Sequence, residues 1–183
     1  MAGEMHNDIR SVLLSEEEIN NRVKELGAQI TKDYDGKTPF FLGVLKGCYV
    51  FMSDLVRNVN LQTTMDFMVV SSYGDGTSTT GAVKITKDLS QDIEGKDVII
   101  VEDILDSGVT LSYLTKYLEN RKPASMKIVT LLDKPARRKA DIHPDYYGFE
   151  VPDEFVVGYG LDYAEQYRNL PYIGILNPSV YSE

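Results

Sequence analysis

The stretch VIIVEDILDSGVT, Val98 to Thr110, decides the fold. Val98, Ile99, Ile100 and Val101 form the β-branched run expected of a strand buried on both faces, as in a parallel sheet. The reading ends that strand near Glu102, where two adjacent carboxylates, Glu102 and Asp103, precede a turn of small residues. Asp106, Ser107, Gly108 and Thr110 make that turn, and Leu111, Leu114 and Leu118 then recur at helical spacing. A phosphate suits such a turn, because free backbone N–H groups and the positive end of a helix dipole converge there. Ser107 and Thr110 add hydroxyl donors.

Outward from this segment, strand and helix patterns alternate without a linker or a repeat. Ser15 followed by Glu16, Glu17 and Glu18 reads as an N-cap with an acidic first turn, and Ile19, Val23, Leu26 and Ile30 form one apolar stripe. FFLGVL, Phe40 to Leu45, reads as a buried strand and CYVFMSDLVRNV as the helix after it. Met65 to Ser71 and Ala82 to Leu89 read as two strands joined by YGDGTSTTG, and Lys127 to Leu132 as a further strand. From Asp145 onward the short pieces YYGFEV, FVVGYG and YIGIL are broken by proline and glycine, which predicts a small lobe over the sheet edge. The expected architecture is α/β, a mostly parallel five-stranded sheet with helices on both faces and a small hood. One domain, 1–183, accounts for the chain, its hood drawn from the N-terminal segment and roughly 145–183.

Composition narrows the classes of function. The formal charge of −9 across 183 residues argues against non-specific nucleic-acid binding, which needs a basic face. An anionic substrate stays open, since local lysines and a cation can reverse the field in one cleft. A single cysteine, Cys48, allows no intrachain disulfide and fits a reducing, cytoplasmic setting. No basic segment followed by a long apolar stretch opens the chain, and no segment reaches membrane-spanning length.

Two carboxylates beside a phosphate turn suit a sugar's hydroxyls or a hydrated Mg²⁺, so the segment as a whole describes a site for a ribose 5-phosphate. It resembles the phosphoribosyl-pyrophosphate (PRPP) loop of the type I phosphoribosyltransferases. Over nearly the whole chain the sequence is similar to the bacterial hypoxanthine-guanine phosphoribosyltransferases. That resemblance implies PRPP and ribose contacts from Glu102, Asp103, Asp106, Ser107, Gly108, Val109 and Thr110. Ser107 and Val109 stand where relatives often carry threonine and lysine or asparagine. The serine keeps its hydroxyl, and position 109 should contribute chiefly its backbone.

Four further segments carry the resemblance. Leu45, Lys46 and Gly47 form a turn that can offer an ammonium and a backbone N–H to an anion. In the family an LKG turn binds pyrophosphate and can hold a non-proline cis peptide. Ser72 and Tyr73 would lie in a loop closing over the reaction, which must exclude water. Lys134, a donor without acceptors, would face the 6-oxo group of a purine and disfavour adenine's amino group. In FVVGYGLDYAEQYR, Phe155 would stack on the base, the backbone of Val156 would read its edge, Asp162 would help place a second Mg²⁺, and Arg168 would grip pyrophosphate. Tyr159 and Tyr163 read as structural, and His6 and His143 occupy no motif.

The resemblance therefore implies Mg²⁺-dependent glycosyl transfer to N9 of hypoxanthine or guanine, with Glu102, Asp103 and Asp162 as candidate metal ligands and Asp106 beneath the base, sharing its N7 proton. A homodimer or homotetramer is expected, with neither membrane nor nucleic acid as partner. Two alternatives stay open at this point. A non-catalytic or bifunctional RNA-binding regulator built on the PRPP loop is one. A response-regulator receiver domain also pairs acids at a strand end, but it places them near the N-terminus and has no hydroxyl-rich turn behind them.

Overall fold

The computed structural model describes residues 4–72 and 83–182. A central sheet of six strands has the order β4-β3-β2-β5-β6-β7, where β2 is Phe40–Leu45, β3 Thr64–Ser72, β4 Val83–Lys87, β5 Asp97–Leu105, β6 Ser125–Asp133 and β7 Tyr146–Glu150. Five of these run parallel, and β4 alone is antiparallel, folded back along β3 at one edge.

The β-branched run of β5 explains the layering. Ile99 and Val101 pack into one core with helices α2 (Glu16–Asp33) and α3 (Tyr49–Arg57). Val98 and Ile100 pack into a second core with α4 (Val109–Glu119), through Leu111, Leu114 and Leu118. A strand covered on both faces must be apolar at successive positions, as the sequence predicted.

The start of α2 is fixed by a reciprocal cap. Ser15 Oγ accepts the Glu18 N–H at 3.2 Å, and Glu18 Oε2 accepts the Ser15 N–H at 2.8 Å. The hydrogen bonds from Ser15 also hold the Glu18 carboxyl below its ordinary range. Ile19, Val23, Leu26 and Ile30 are buried along one face, as their spacing predicted.

A second sheet joins the two ends of the chain. Strand β1 (Ile9–Leu14) lies antiparallel to β9 (Ile173–Leu176), which pairs with β8 (Val156–Val157). Two features differ from the sequence reading. Strand β5 continues past Glu102 to Leu105, because its parallel pairing with β6 runs on to Leu105 and Asp133. Tyr146–Glu150, expected in the small lobe, instead forms the edge of the main sheet against β6, which brings that sheet to six strands where five were expected. Among the described residues, no helix is long and apolar enough to cross a membrane.

Candidate active site

Two cavities adjoin at the C-terminal edge of the main sheet, where an open α/β fold places its ligands. The larger, about 460 Å³, is lined by Ile104, Asp106, Lys134, Arg137, Asp153, Glu154, Phe155, Val156, Leu161 and Tyr181. The smaller, about 140 Å³, is lined by Glu102, Ile104, Leu105, Asp106, Ser107, Gly108, Thr110 and Leu111. Ile104 and Asp106 belong to both walls.

The smaller cavity is built by the turn between β5 and α4. Gly108 stands at the N-cap of α4 with φ +77° and has no side chain with which to cap the helix. Only glycine fits there, since a β-carbon would lie 2.5 Å from Ile142 Cγ2. The first N–H groups of a helix lack intrahelical partners, so a glycine N-cap leaves donors for an anion. Arg138 locks the turn from behind: its Nε donates to the Asp106 carbonyl at 3.0 Å, Nη1 to the Ile142 carbonyl at 2.6 Å, and Nη2 to the Asp133 carboxylate.

One wall of the larger cleft is cationic and the other aromatic. Lys134 is only 5% exposed, and its Nζ donates to the Glu154 carbonyl at 2.8 Å. Phe155 stacks on Tyr181 with ring centroids 5.0 Å apart and meets Tyr163 edge-on at 5.6 Å. Asp106 Oδ1 is buried without a hydrogen-bond partner among the described residues, although Arg137 Nε lies 3.4 Å away. A flat heterocycle that offers an acceptor to Lys134 and a donor to Asp106 matches these walls.

A third region flanks the acidic pair. The Leu45–Lys46 peptide is cis. Gly47 rests directly on Asp103, since a β-carbon on it would fall 1.7 Å from Asp103 Oδ2. Lys46 Nζ meets Glu165 Oε2 at 2.5 Å, and Arg168 Nη2 lies 3.2 Å from Glu165 Oε1 and 3.3 Å from Asp162 Oδ1. Among the described residues, the buried Arg168 Nε has no hydrogen-bond partner.

The electrostatics of the acidic pair follow from enclosure. Burial, and then the neighbouring Asp103 charge, pushes the Glu102 carboxyl well above the ordinary range. Burial likewise pushes Asp103 up to about 6. Burial also raises the Cys48 thiol, with Glu102 and Asp103 adding to the effect, which favours its protonated form.

The model of the phosphoribosyl transferase domain family matches residues 12–164. The chain belongs to this family. It is 60% identical over 177 residues to the hypoxanthine-guanine phosphoribosyltransferase of Bacillus subtilis, covering 97% of this chain and 98% of that protein. A solved hypoxanthine phosphoribosyltransferase from Staphylococcus aureus superimposes with a TM-score of 0.95 at 60% identity, covering 98% of this chain and 97% of that one. The bifunctional protein TilS/HprT of Listeria monocytogenes is 59% identical over 98% of this chain, which spans 28% of that longer protein.

For a phosphoribosyltransferase the expected residues fall into three groups. Asp106, Lys134, Phe155 and Val156 share the larger cleft. Glu102, Asp106, Ser107, Gly108 and Thr110 share the smaller one. Lys46, Gly47, Asp103, Asp162 and Arg168 gather beside it. Three placements differ from the sequence reading. Asp162, which the resemblance puts both among the purine-binding residues and among the metal ligands, lies with Arg168 and off the wall of the larger cleft. Asp103 faces Gly47 and lines neither cavity. Val109 is off the wall too, its N–H directed at Ser107 Oγ at 3.4 Å.

Of the proposed loop residues, Ser72 ends β3 and Tyr73 lies outside the described residues. Sequence reading missed Arg137, Arg138, Glu165 and Tyr181. Only the five-donor fork of arginine, two of them adjacent after Lys134, offered a signal for the first pair.

The donor set tests the expected Mg²⁺. Among the described residues, no three His, Cys, Asp or Glu side chains form a ready-made cage. Mg²⁺ seldom uses one: it keeps water, takes one or two carboxylates and arrives with phosphate oxygens. Glu102 and Asp103, adjacent carboxylates whose burial makes their negative charge costly, fit that pattern.

Proposed function

We propose that the chain catalyses transfer of the phosphoribosyl group from PRPP to N9 of hypoxanthine or guanine, giving IMP or GMP and pyrophosphate. The observation that carries this reading is the shared wall. Asp106 borders both a phosphate-type turn and a cleft with a buried lysine and an exposed aromatic ring. A nucleotide's base and 5′-phosphate need such neighbouring sites, joined across the sugar.

The residues then take their roles from chemistry. The α4 start, with Ser107 and Thr110, holds the 5′-phosphate. Lys134 donates to the 6-oxo group, Phe155 covers the ring, and the Val156 backbone reads its edge. Asp106, whose Oδ1 makes no hydrogen bond among the described residues, accepts the N7 proton as positive charge grows on the base during attack on C1′. Lys46, the Gly47 backbone and Arg168 stabilise charge on the departing pyrophosphate. Glu102 and Asp103, and Asp162 for a second ion, would hold Mg²⁺, which would supply further charge neutralisation when bound. Ser72 and Tyr73 belong to the proposed closing loop.

A cytoplasmic homodimer or homotetramer, each chain one domain with a hood from its N-terminal and C-terminal segments, completes the proposal. An RNA-binding regulator is disfavoured by the −9 charge and by relatives named as enzymes.

The test is initial rates with PRPP and Mg²⁺ against hypoxanthine, guanine, xanthine and adenine, for the wild type and Asp106→Asn. Turnover of the first two but not adenine, slowed about 100-fold or more in the variant, is the expected result. A folded protein that binds PRPP and turns over no purine would overturn the proposal.

A further inference from the structure

Glu165 stands between the two cations assigned to pyrophosphate and uses its oxygens separately. Oε2 meets Lys46 at 2.5 Å and Oε1 meets Arg168 at 3.2 Å. A bridging oxyanion bound by an ammonium and a guanidinium is the arrangement expected of a phosphate group. We propose that the Glu165 carboxylate is an internal stand-in for pyrophosphate, holding Lys46 and Arg168 at working distance and giving way when the ligand arrives. This rests on the reading of Lys46 and Arg168 as the pyrophosphate-binding cations.

Three further observations support displacement over a permanent brace. Lys46 and Glu165 are each about two-thirds exposed, at 65% and 64%, so their pair is weak and opens easily. Arg168 is 18% exposed and its Nη1 is fixed by the Gly160 carbonyl at 2.8 Å, while its buried Nε has no hydrogen-bond partner among the described residues, a donor that one carboxylate leaves unused and a ligand with more oxygens can fill. The backbone is also bent to deliver this side chain: Ala164, Glu165 and Tyr167 have φ of 50°, 65° and 73°. The Glu165 N–H is tied to Asp162 Oδ2 at 2.9 Å. Left-handed backbone at non-glycine residues is strained, and such strain gathers at functional sites. Since Glu165 is exposed, core packing does not require its position.

Glu165 would then subtract from pyrophosphate affinity, and the sign of its removal separates the proposal from a simple surface ion pair. Binding of inorganic pyrophosphate with Mg²⁺ is measured calorimetrically for the wild type, Glu165→Gln and Glu25→Gln. The last removes an acid paired to Arg22 on α2, away from both cavities. Glu165→Gln should bind roughly threefold to tenfold more tightly, the equivalent of losing one exposed and one part-buried ion pair. The KM for PRPP should fall in step, with Glu25→Gln unchanged. Equal or weaker binding by Glu165→Gln, or the same gain in Glu25→Gln, overturns the inference. Failure of the wild type itself to bind pyrophosphate overturns the assignment of Lys46 and Arg168 beneath it, a distinguishable result.

Discussion

Lys134 Nζ is held 2.8 Å from the backbone carbonyl of Glu154, the residue immediately before Phe155. The ammonium proposed to read the base and the ring proposed to cover it are thus tied through one peptide unit. Lys134→Ala removes a charged donor worth roughly 1.5 to 3 kcal/mol. The expected result is a fall in kcat/KM of about 10- to 100-fold for hypoxanthine and guanine, with weaker discrimination against adenine. Steady-state kinetics on each base measure it, and an unchanged preference would remove Lys134 from recognition.

Gly47 leaves no room for a methyl group over Asp103. In Gly47→Ala either the turn or the carboxylate must shift, and misplacement of about 1 Å at such a site can cost about 100-fold. A loss of that size in kcat/KM for PRPP is expected, with far-UV circular dichroism unchanged. Wild-type kinetics in the variant would show that the contact is incidental.

Asp103 makes stability depend on pH in a defined direction. Its folded value of about 6 lies above the ordinary carboxylate value, so the folded state binds more protons across the interval between the two. The group imposes no penalty where it is protonated in both states. The penalty grows as pH rises through the interval and is complete above about 6. Asp103→Asn should therefore raise Tm at pH 8, by on the order of 2 kcal/mol of stability, and leave it nearly unchanged at pH 4. Thermal unfolding of both proteins at the two pH values tests this. The same variant is expected to lose activity.

Tyr181 stacks on Phe155 at the mouth of the larger cleft. An aromatic pair of this kind contributes about 0.5 to 1.5 kcal/mol beyond burial. Tyr181→Ala should raise KM for the purine by roughly twofold to tenfold and leave KM for PRPP alone. A change in both would mean that the C-terminal segment supports the whole site.

Ser15→Ala deletes the cap of α2, far from the chemistry. The loss should be about 1 kcal/mol, or a Tm decrease of about 2 to 4 °C, with kinetics unaffected. Differential scanning calorimetry resolves a shift of that size.

Much of this was legible in the sequence because it rests on local rules. The apolar run of β5, the cap at Ser15 and the strand Phe40–Leu45 are each set by neighbours in the chain. The misplaced element, Tyr146–Glu150, shows where such rules stop. A short apolar piece between breakers has the same pattern whether it edges a parallel sheet or joins a separate one, and only pairing with β6 decides. The site divides in the same way. Asp106 and Ser107 could be read from the turn that presents them. Glu165, Tyr181 and the contact of Gly47 with Asp103 arise from approach between distant segments, which no single stretch records.

The wall common to the two cavities, Ile104 with Asp106, makes them poor candidates for independent change. A substitution at Asp106 acts on both substrates at once, so base preference can drift only through the far side of the larger cleft, near Lys134 and Tyr181. For an inhibitor the same geometry is an advantage. An anionic head and a flat ring joined by a spacer no longer than a sugar gain the high effective concentration of tethered ligands, with almost no slack to order.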